Sequence, residues 1–263
     1  MTLFGYARAG ARVAERALAQ RPRFGHEERL VFVVGCPRSG TSFLGRAIGG
    51  LPGFIDLGEV TPWKEALPTG PSADDVRRIL ERVRRLGLAR GFRCVEQTPE
   101  TSHVLGEALA AYPQGLAVHA LRDGRDVVCS LLERGWLNAE KSGTDDAGLP
   151  YGAEPRFWVE PERREEFAQV SDARRCAWAW RRYVEAVRST DAGERLLEVR
   201  YEGLAAQADR LAAFLGANVT SMHRSLDDFR DSSIGRWKRE LTPAQLADVE
   251  SEAGPLLAQL GYR

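Results

Sequence analysis

The chain switches between short unbroken apolar runs and longer stretches whose apolar residues recur every three or four positions. Leu30-Val31-Phe32-Val33-Val34 and Leu116-Ala117-Val118-His119-Ala120-Leu121 are of the first kind, and each gives way to glycine and charge. Such runs predict strands buried on both faces, over 30–34 and 116–121. Shorter strands are expected over 94–97 and 196–199. Helical spacing predicts a helix over 5–20, with Ala7, Ala11, Ala14 and Leu18 as its inner face. A second helix is expected over 72–88, capped by Ser72, with Val76, Ile79, Leu80, Val83 and Leu86 inward. Others are expected over 40–48, 101–111, 126–134, 172–188 and 204–215, with Trp178 and Tyr183 facing the core. Thr242 caps a last helix, with Pro243 at its first position and Gln245 completing a capping box. Strands alternating with helices predict a three-layer α/β/α fold around a mainly parallel sheet. In such sheets ligands bind beyond the carboxyl ends of the strands.

Two of those strand ends carry chemistry. After 30–34 comes Gly35-Cys36-Pro37-Arg38-Ser39-Gly40-Thr41-Ser42, then an amphipathic segment. In a strand–loop–helix unit of this kind, backbone N–H groups and the helix start converge on an anion. The spacing is that of G-x-x-x-x-G-K-[ST], but Thr41 stands where a nucleotide kinase or ATPase has its lysine, and the positive charge sits earlier, at Arg38. The alternative is a tight turn with no ligand. After 116–121 comes Arg122-Asp123-Gly124-Arg125-Asp126, with Ser130 two turns into the helix. Arg122 and Ser130 suit one phosphate, as bidentate and hydroxyl donors. The alternative there is a surface network of Arg with Asp123 and Asp126.

Together these motifs resemble the sulfotransferases that use 3′-phosphoadenosine 5′-phosphosulfate (PAPS). The resemblance runs from about residue 30 to the C-terminus and implies their P-loop-NTPase-like fold. It implies that Arg38, Ser39, Gly40, Thr41 and Ser42 hold the 5′-phosphosulfate, and that Arg122 and Ser130 hold the 3′-phosphate. Arg134 matches a basic position of the tyrosylprotein branch. Val199-Arg200-Tyr201-Glu202-Gly203-Leu204 is similar to the family's V-R-Y-E-x-L strand end, which implies Tyr201 near the nucleotide. The segment from Ser233 through Arg236 and Trp237 resembles the part that closes over adenine and the 3′-phosphate. Arg38 in the loop matches the carbohydrate, tyrosylprotein and many bacterial branches, where the branch acting on phenols and steroids has Lys. Glu96-Gln97-Thr98-Pro99 is close to E-K-[ST]-P of the glycan branch, with Gln97 in place of Lys.

Sulfuryl transfer needs an in-line acceptor, charge at the leaving phosphate and a base. Arg38 and the loop amides supply the charge, so no metal is called for. Two carboxylates are candidate bases. Glu59 follows the phosphate-loop helix, in a Gly-Glu pair like that of the tyrosylprotein branch, and is slightly favoured. Glu96 matches the Glu of E-K-[ST]-P. Either is alternatively a structural carboxylate. His103 is a weaker third, more in keeping with a helix surface, and Lys64 is a source of the charge that Gln97 lacks. The competing readings are a P-loop kinase of a small molecule and a catalytically silent nucleotide-binding module.

Composition narrows the partners. The formal net charge is zero, so attraction to nucleic acid or an acidic membrane is not expected. No long apolar run marks a leader or anchor. The four Cys (36, 94, 129, 176) and four His (26, 103, 119, 223) are scattered, which predicts a reducing, cytoplasmic setting and no metal site. One domain over 1–263 is expected, with PAP as the donor's product and a small molecule, glycan or natural product as acceptor. Residues 137–171 break the pattern. They are rich in Gly, Pro and acids, with Tyr151, Phe157 and Trp158, and suggest a lid over the acceptor or a surface insertion.

Overall fold

The computed structural model describes residues 3–19, 30–67, 70–88, 91–138, 143–144, 150–151 and 159–262. Its strands are β1 Leu30–Val34, β2 Phe54–Gly58, β3 Arg93–Glu96, β4 Leu116–Leu121, β5 Gly143–Thr144, β6 Pro150–Tyr151 and β7 Leu196–Arg200. Five of them form one parallel sheet in the order β2-β3-β1-β4-β7, and β5 pairs with β6 antiparallel. The fold is α/β, with helices on both faces of that sheet.

β1 is central because all five of its residues are buried. Val31 and Val33 pack under α2 (Thr41–Gly49), α9 (Ala208–Leu215) and α10 (Val219–Leu226). Leu30, Phe32 and Val34 face the other way, toward α1 (Leu3–Ala19), α4 (Ala73–Leu88) and α5 (Leu105–Ala111). Burying each such side chain is worth roughly 1.5–3 kcal/mol. A third cluster joins Leu121 to α6 (Gly124–Arg134), α8 (Asp172–Arg188) and α12 (Pro243–Gln259), around Trp178, Trp180 and Tyr183. No described helix is long and apolar enough to cross a membrane.

The capping box of α12 is present, and Ser72 caps α4 by accepting from the Asp75 amide. Three expectations are corrected. α1 is helical but rotated: Ala9 and Val13 are buried, whereas Ala7, Ala11 and Ala14 are exposed and Leu18 is 92% exposed. Polar anchoring decides the rotation, since alanines bury little area. Arg16 donates to the Gly50 carbonyl at 2.7 Å, closing the end of α2, and Arg12 faces Asp56 at 3.9 Å. The 101–111 segment is a tight 3₁₀ turn, Pro99–Val104, followed by α5, because Glu96 binds into the turn (below). Strand β2 has no counterpart among the expected strands; Asp56 and Gly58 interrupt its apolar run.

In the 137–171 stretch, Val159 and Phe167 are core residues of the third cluster. Arg181 ties this part down by bonding Glu160, Glu185 and Glu252, and Trp178 Nε1 donates to Glu160. From 159 onward the stretch is therefore packed scaffold. Phe157, Trp158 and the Tyr151 side chain lie outside the described residues, and with them most of the proposed lid.

Candidate active site

β1 ends in the phosphate loop because the chain must leave the sheet beside β4. A Cβ at Gly35 would stand 2.5 Å from the Ala120 carbonyl oxygen, so no larger residue fits. The Gly35 amide donates to Ser102 Oγ at 3.0 Å, tying the loop to the 3₁₀ turn. Gly40 caps α2 at φ 93°, a left-handed conformation that favours glycine. A Cβ there would also strike the Tyr201 ring at 2.7 Å. No side chain caps α2, so its first-turn amides have no capping side-chain acceptor. Arg38 is the only described non-glycine residue at positive φ, 73°. A non-glycine residue in this region is uncommon and costs strain that the surrounding contacts must hold. Ser39 and Thr41 are buried, and Ser42 is exposed on the first turn.

The second motif meets the first. Arg38 Nε donates to Ser130 Oγ at 2.9 Å, across 92 positions of sequence. Arg122 is 5% exposed and donates to the Arg38 carbonyl at 3.1 Å and to the Ser233 carbonyl at 2.7 Å. Its guanidinium lies 4.4 Å from the centroid of the Tyr201 ring. Its Nε is buried and has no hydrogen-bond partner among the described residues. A buried donor of this kind is costly unless an acceptor arrives, so the site fits an anionic group. Trp180 on α8 supports the motif from behind, donating to the Arg122 carbonyl at 3.1 Å.

The acidic and second basic residues of this motif form no surface network; all three are buried. Asp123 caps α6 and holds Arg125 at 2.7 Å, and Arg125 stacks on the Trp237 ring at 3.9 Å. Asp126 accepts from the Gly235 amide at 2.8 Å and the Trp237 amide at 3.0 Å. The motif is thus also a clasp that fastens 233–237 over Arg122. Tyr201 joins it, its hydroxyl 3.2 Å from Ser233 Oγ. Arg236 belongs to the clasp's outer side, where its guanidinium pairs with Glu240 and Glu133. Arg134 lies 5.8 Å from the Trp136 ring, and Arg38 lies 6.0 Å from the same ring.

The candidate bases differ in environment. Glu96 is fully buried at the end of β3. Its Oε1 accepts from the Thr98 amide at 2.8 Å and Thr61 Oγ1 at 3.1 Å, and its Oε2 from Thr101 Oγ1 at 2.8 Å. Burial pushes its carboxyl up to about 7, against these hydrogen bonds that favour the charged form. Glu59 is exposed, just past the end of β2. Gln97 is turned toward Asp56, 3.4 Å away, and packs against Gly45 of α2. His103 lies 4.7 Å from the Tyr183 ring, and burial, then the Arg182 charge, lowers it to about 3. It is therefore an interior neutral imidazole rather than a surface one.

Sequence reasoning placed Asp126 only in a surface network, and did not single out Trp180 or the aromatic edge beside Tyr201. Phe229 stands 4.9 Å from Tyr201 and 5.6 Å from Phe43, at the first turn of α2. A groove of about 540 Å³ begins at Phe43 and runs between α2 and α10 past Arg46 and Arg224. Only the aromatic at 43, next to the phosphate loop, offered a signal; Phe229 has no local pattern around it.

No protein-family model matches the chain, and no curated protein does. Solved structures do. The sulfotransferase domain from the curacin biosynthetic pathway superposes with TM-score 0.56 at 15% identity, over 91% of this chain and 99% of that one. A mouse sulfotransferase complexed with PAP gives 0.51 at 17%, over 94% and 91%. A sulfotransferase from Alicyclobacillus acidocaldarius gives 0.51 at 18%, over 88% and 93%. The chain has the sulfotransferase fold.

Proposed function

We propose that this chain is a sulfotransferase that moves a sulfuryl group from PAPS to a hydroxyl or amine of a small-molecule, glycan or natural-product acceptor. The observation that carries this reading is the meeting of two anion motifs in one place, with Arg38 on Ser130 and Arg122 beneath both. A nucleotide with phosphates at two separate positions matches two such motifs; a simple 5′-nucleotide matches one.

PAPS supplies an activated sulfuryl group on a 5′-phosphate. The α2 amides, Ser39, Thr41, Ser42 and Arg38 hold that end, and Arg38 balances charge growing on the leaving phosphate. Arg122, through its unmatched Nε, and Ser130 hold the 3′-phosphate, with Arg134 adding charge in the last turn of α6. Phe43, Tyr201 and Phe229 offer aromatic surface to the base, and Ser233 to Trp237 cover it. Glu59 is the base. Glu59 is exposed just past the end of β2, whereas Glu96 is fully buried, with both oxygens bonded into the turn. Glu96 shapes the strand end instead.

The test is transfer of labelled sulfate from PAPS to an acceptor panel by wild type and Arg38→Ala. We expect label in an acceptor with wild type, and turnover lowered about 10²- to 10³-fold in the variant with PAP affinity nearly kept. Phosphoryl transfer from ATP, with PAPS left intact, would overturn the reading.

A further inference from the structure

Resting on the sulfotransferase reading, we propose that Tyr262, in the turn after α12, is a positioning residue for the 3′-phosphate. Through Glu202 it fixes the peptide that follows Arg122, and with it the aim of the Arg122 guanidinium. Parallel pairing of β4 with β7 sets Leu121 opposite Arg200, so the two chains leave the sheet side by side. Arg122 and Asp123 follow one strand, Tyr201 and Glu202 the other. Glu202 bridges them. Its Oε1 accepts from the Asp123 amide at 2.7 Å, and its Oε2 accepts from the Tyr262 hydroxyl at 3.1 Å.

The peptide between Arg122 and Asp123 is thereby held at both of its polar atoms. Trp180 Nε1 donates to its carbonyl oxygen at 3.1 Å, and its N–H donates to Glu202. A planar peptide held in this way cannot turn without breaking one of the two bonds, and a turn there changes the backbone on which Arg122 stands. The guanidinium donates to the neutral carbonyls of Arg38 and Ser233, bonds weaker than those to a charged group, so the backbone has a large share in aiming it.

The chain after α12 is shaped to bring Tyr262 to this place. The helix closes in a Schellman turn, in which the Gly261 amide donates to the Ala258 carbonyl at 3.0 Å and the Tyr262 amide to the Leu257 carbonyl at 2.9 Å. The half-buried Tyr262 ring packs on the third cluster. Arg200 fastens ring and turn together: its guanidinium lies 4.9 Å from the ring centroid, and its Nη2 donates to the Leu260 carbonyl at 2.5 Å. Burial, then the Glu202 charge, raises the phenol above its ordinary value, so the hydroxyl stays a donor throughout the neutral range. Its bond to the Glu202 carboxylate is charge-assisted.

The experiment measures PAP and adenosine 5′-phosphosulfate affinity by calorimetry in Tyr262→Phe, Glu202→Gln, Arg122→Ala and the double variant of Tyr262→Phe with Arg122→Ala. Hydrogen exchange at the Asp123 amide is followed in the same proteins without nucleotide. Tyr262→Phe keeps the ring and removes the hydroxyl alone. It should weaken PAP about three- to tenfold and leave adenosine 5′-phosphosulfate, which has no 3′-phosphate, within twofold. Glu202→Gln turns an NH₂ toward one of the two donors and should weaken PAP by at least as much. Exchange at Asp123 should quicken in both, with β1 amides still protected. With Arg122 already removed, Tyr262→Phe should change PAP affinity less than twofold. Equal losses for both ligands, or the same loss in the Arg122→Ala background, would assign Tyr262 to stability alone and overturn the proposal. A wild-type protein that binds neither ligand removes the sulfotransferase reading and this inference with it. Wild-type PAP binding that Tyr262→Phe leaves unchanged removes only this inference.

Discussion

Asp126→Asn should open the clasp without unfolding the protein. Asp126 gives one carboxylate oxygen to the Gly235 amide at 2.8 Å and the other to the Trp237 amide at 3.0 Å. Hydrogen bonds to a charged group contribute roughly 1.5–3 kcal/mol each. Asparagine keeps one acceptor and turns an NH₂ toward the other amide. The change therefore costs about one charged bond and leaves a half-buried N–H unmet, on the order of 2–3 kcal/mol. Segment 233–237 also supplies the Ser233 carbonyl to Arg122 and the Ser233 hydroxyl to Tyr201, so both contacts loosen with it. If the clasp closes over the nucleotide, PAP affinity should fall by about 10- to 100-fold, each tenfold being 1.4 kcal/mol. Calorimetric titration with PAP measures the affinity. Hydrogen exchange at the Gly235 and Trp237 amides measures the opening, which should rise there while β1 and β4 amides stay protected. Unchanged exchange at those two amides together with unchanged PAP affinity would refute the clasp. A uniform rise across the sheet would mean that Asp126 serves global stability alone.

Arg122→Ala should weaken PAP far more than adenosine 5′-phosphosulfate, by about ten- to a hundredfold, because the lost charge serves the 3′-phosphate; equal losses in calorimetry would remove that assignment. Glu59→Gln should cost about 10²- to 10⁴-fold in single-turnover rate at saturating PAPS with donor affinity kept, and a near wild-type rate would exclude Glu59 as base. Glu96→Gln should retain turnover more nearly, with its effect appearing in thermal melts; loss of rate without loss of stability would restore Glu96 as the base. The fully buried Glu96 has its carboxyl raised to about 7, so the folded state holds a proton that the unfolded state releases near 4.5. Its contribution to stability is present below the unfolded value and is lost as pH rises through about 7, and Glu96→Gln should flatten that fall in melts from pH 5 to 8.

The strands and helices with strong patterns were legible because burial alone sets them. β1 and β4 are unbroken apolar runs, and α8 carries Trp178 and Tyr183 at helical spacing. Both motifs were legible as strand carboxyl ends, but the bond from Arg38 to Ser130 was not, because the two were expected on different phosphates; it depends on β1 and β4 being neighbours. Other features depended on contacts between distant segments. The rotation of α1 is set by Arg16 reaching the end of α2, which alanine spacing does not encode. The clasp joins Asp126 to amides 109 and 111 positions away, and backbone donors leave no mark in a side-chain pattern. Glu59 and Glu96 look alike as strand-end carboxylates; burial separates them, Glu96 being fully buried among three donors and Glu59 exposed.

The central claim is that one site binds a nucleotide carrying phosphates at both 3′ and 5′ positions. Calorimetric titration of the wild-type chain with PAP, adenosine 5′-monophosphate and ATP with magnesium tests it directly. The account predicts tight PAP binding, weakened about ten- to a hundredfold when the 3′-phosphate is absent, because the charge-assisted bonds to Arg122 and Ser130 go unmade. ATP binding as tightly as PAP, or PAP and the monophosphate binding alike, would contradict it.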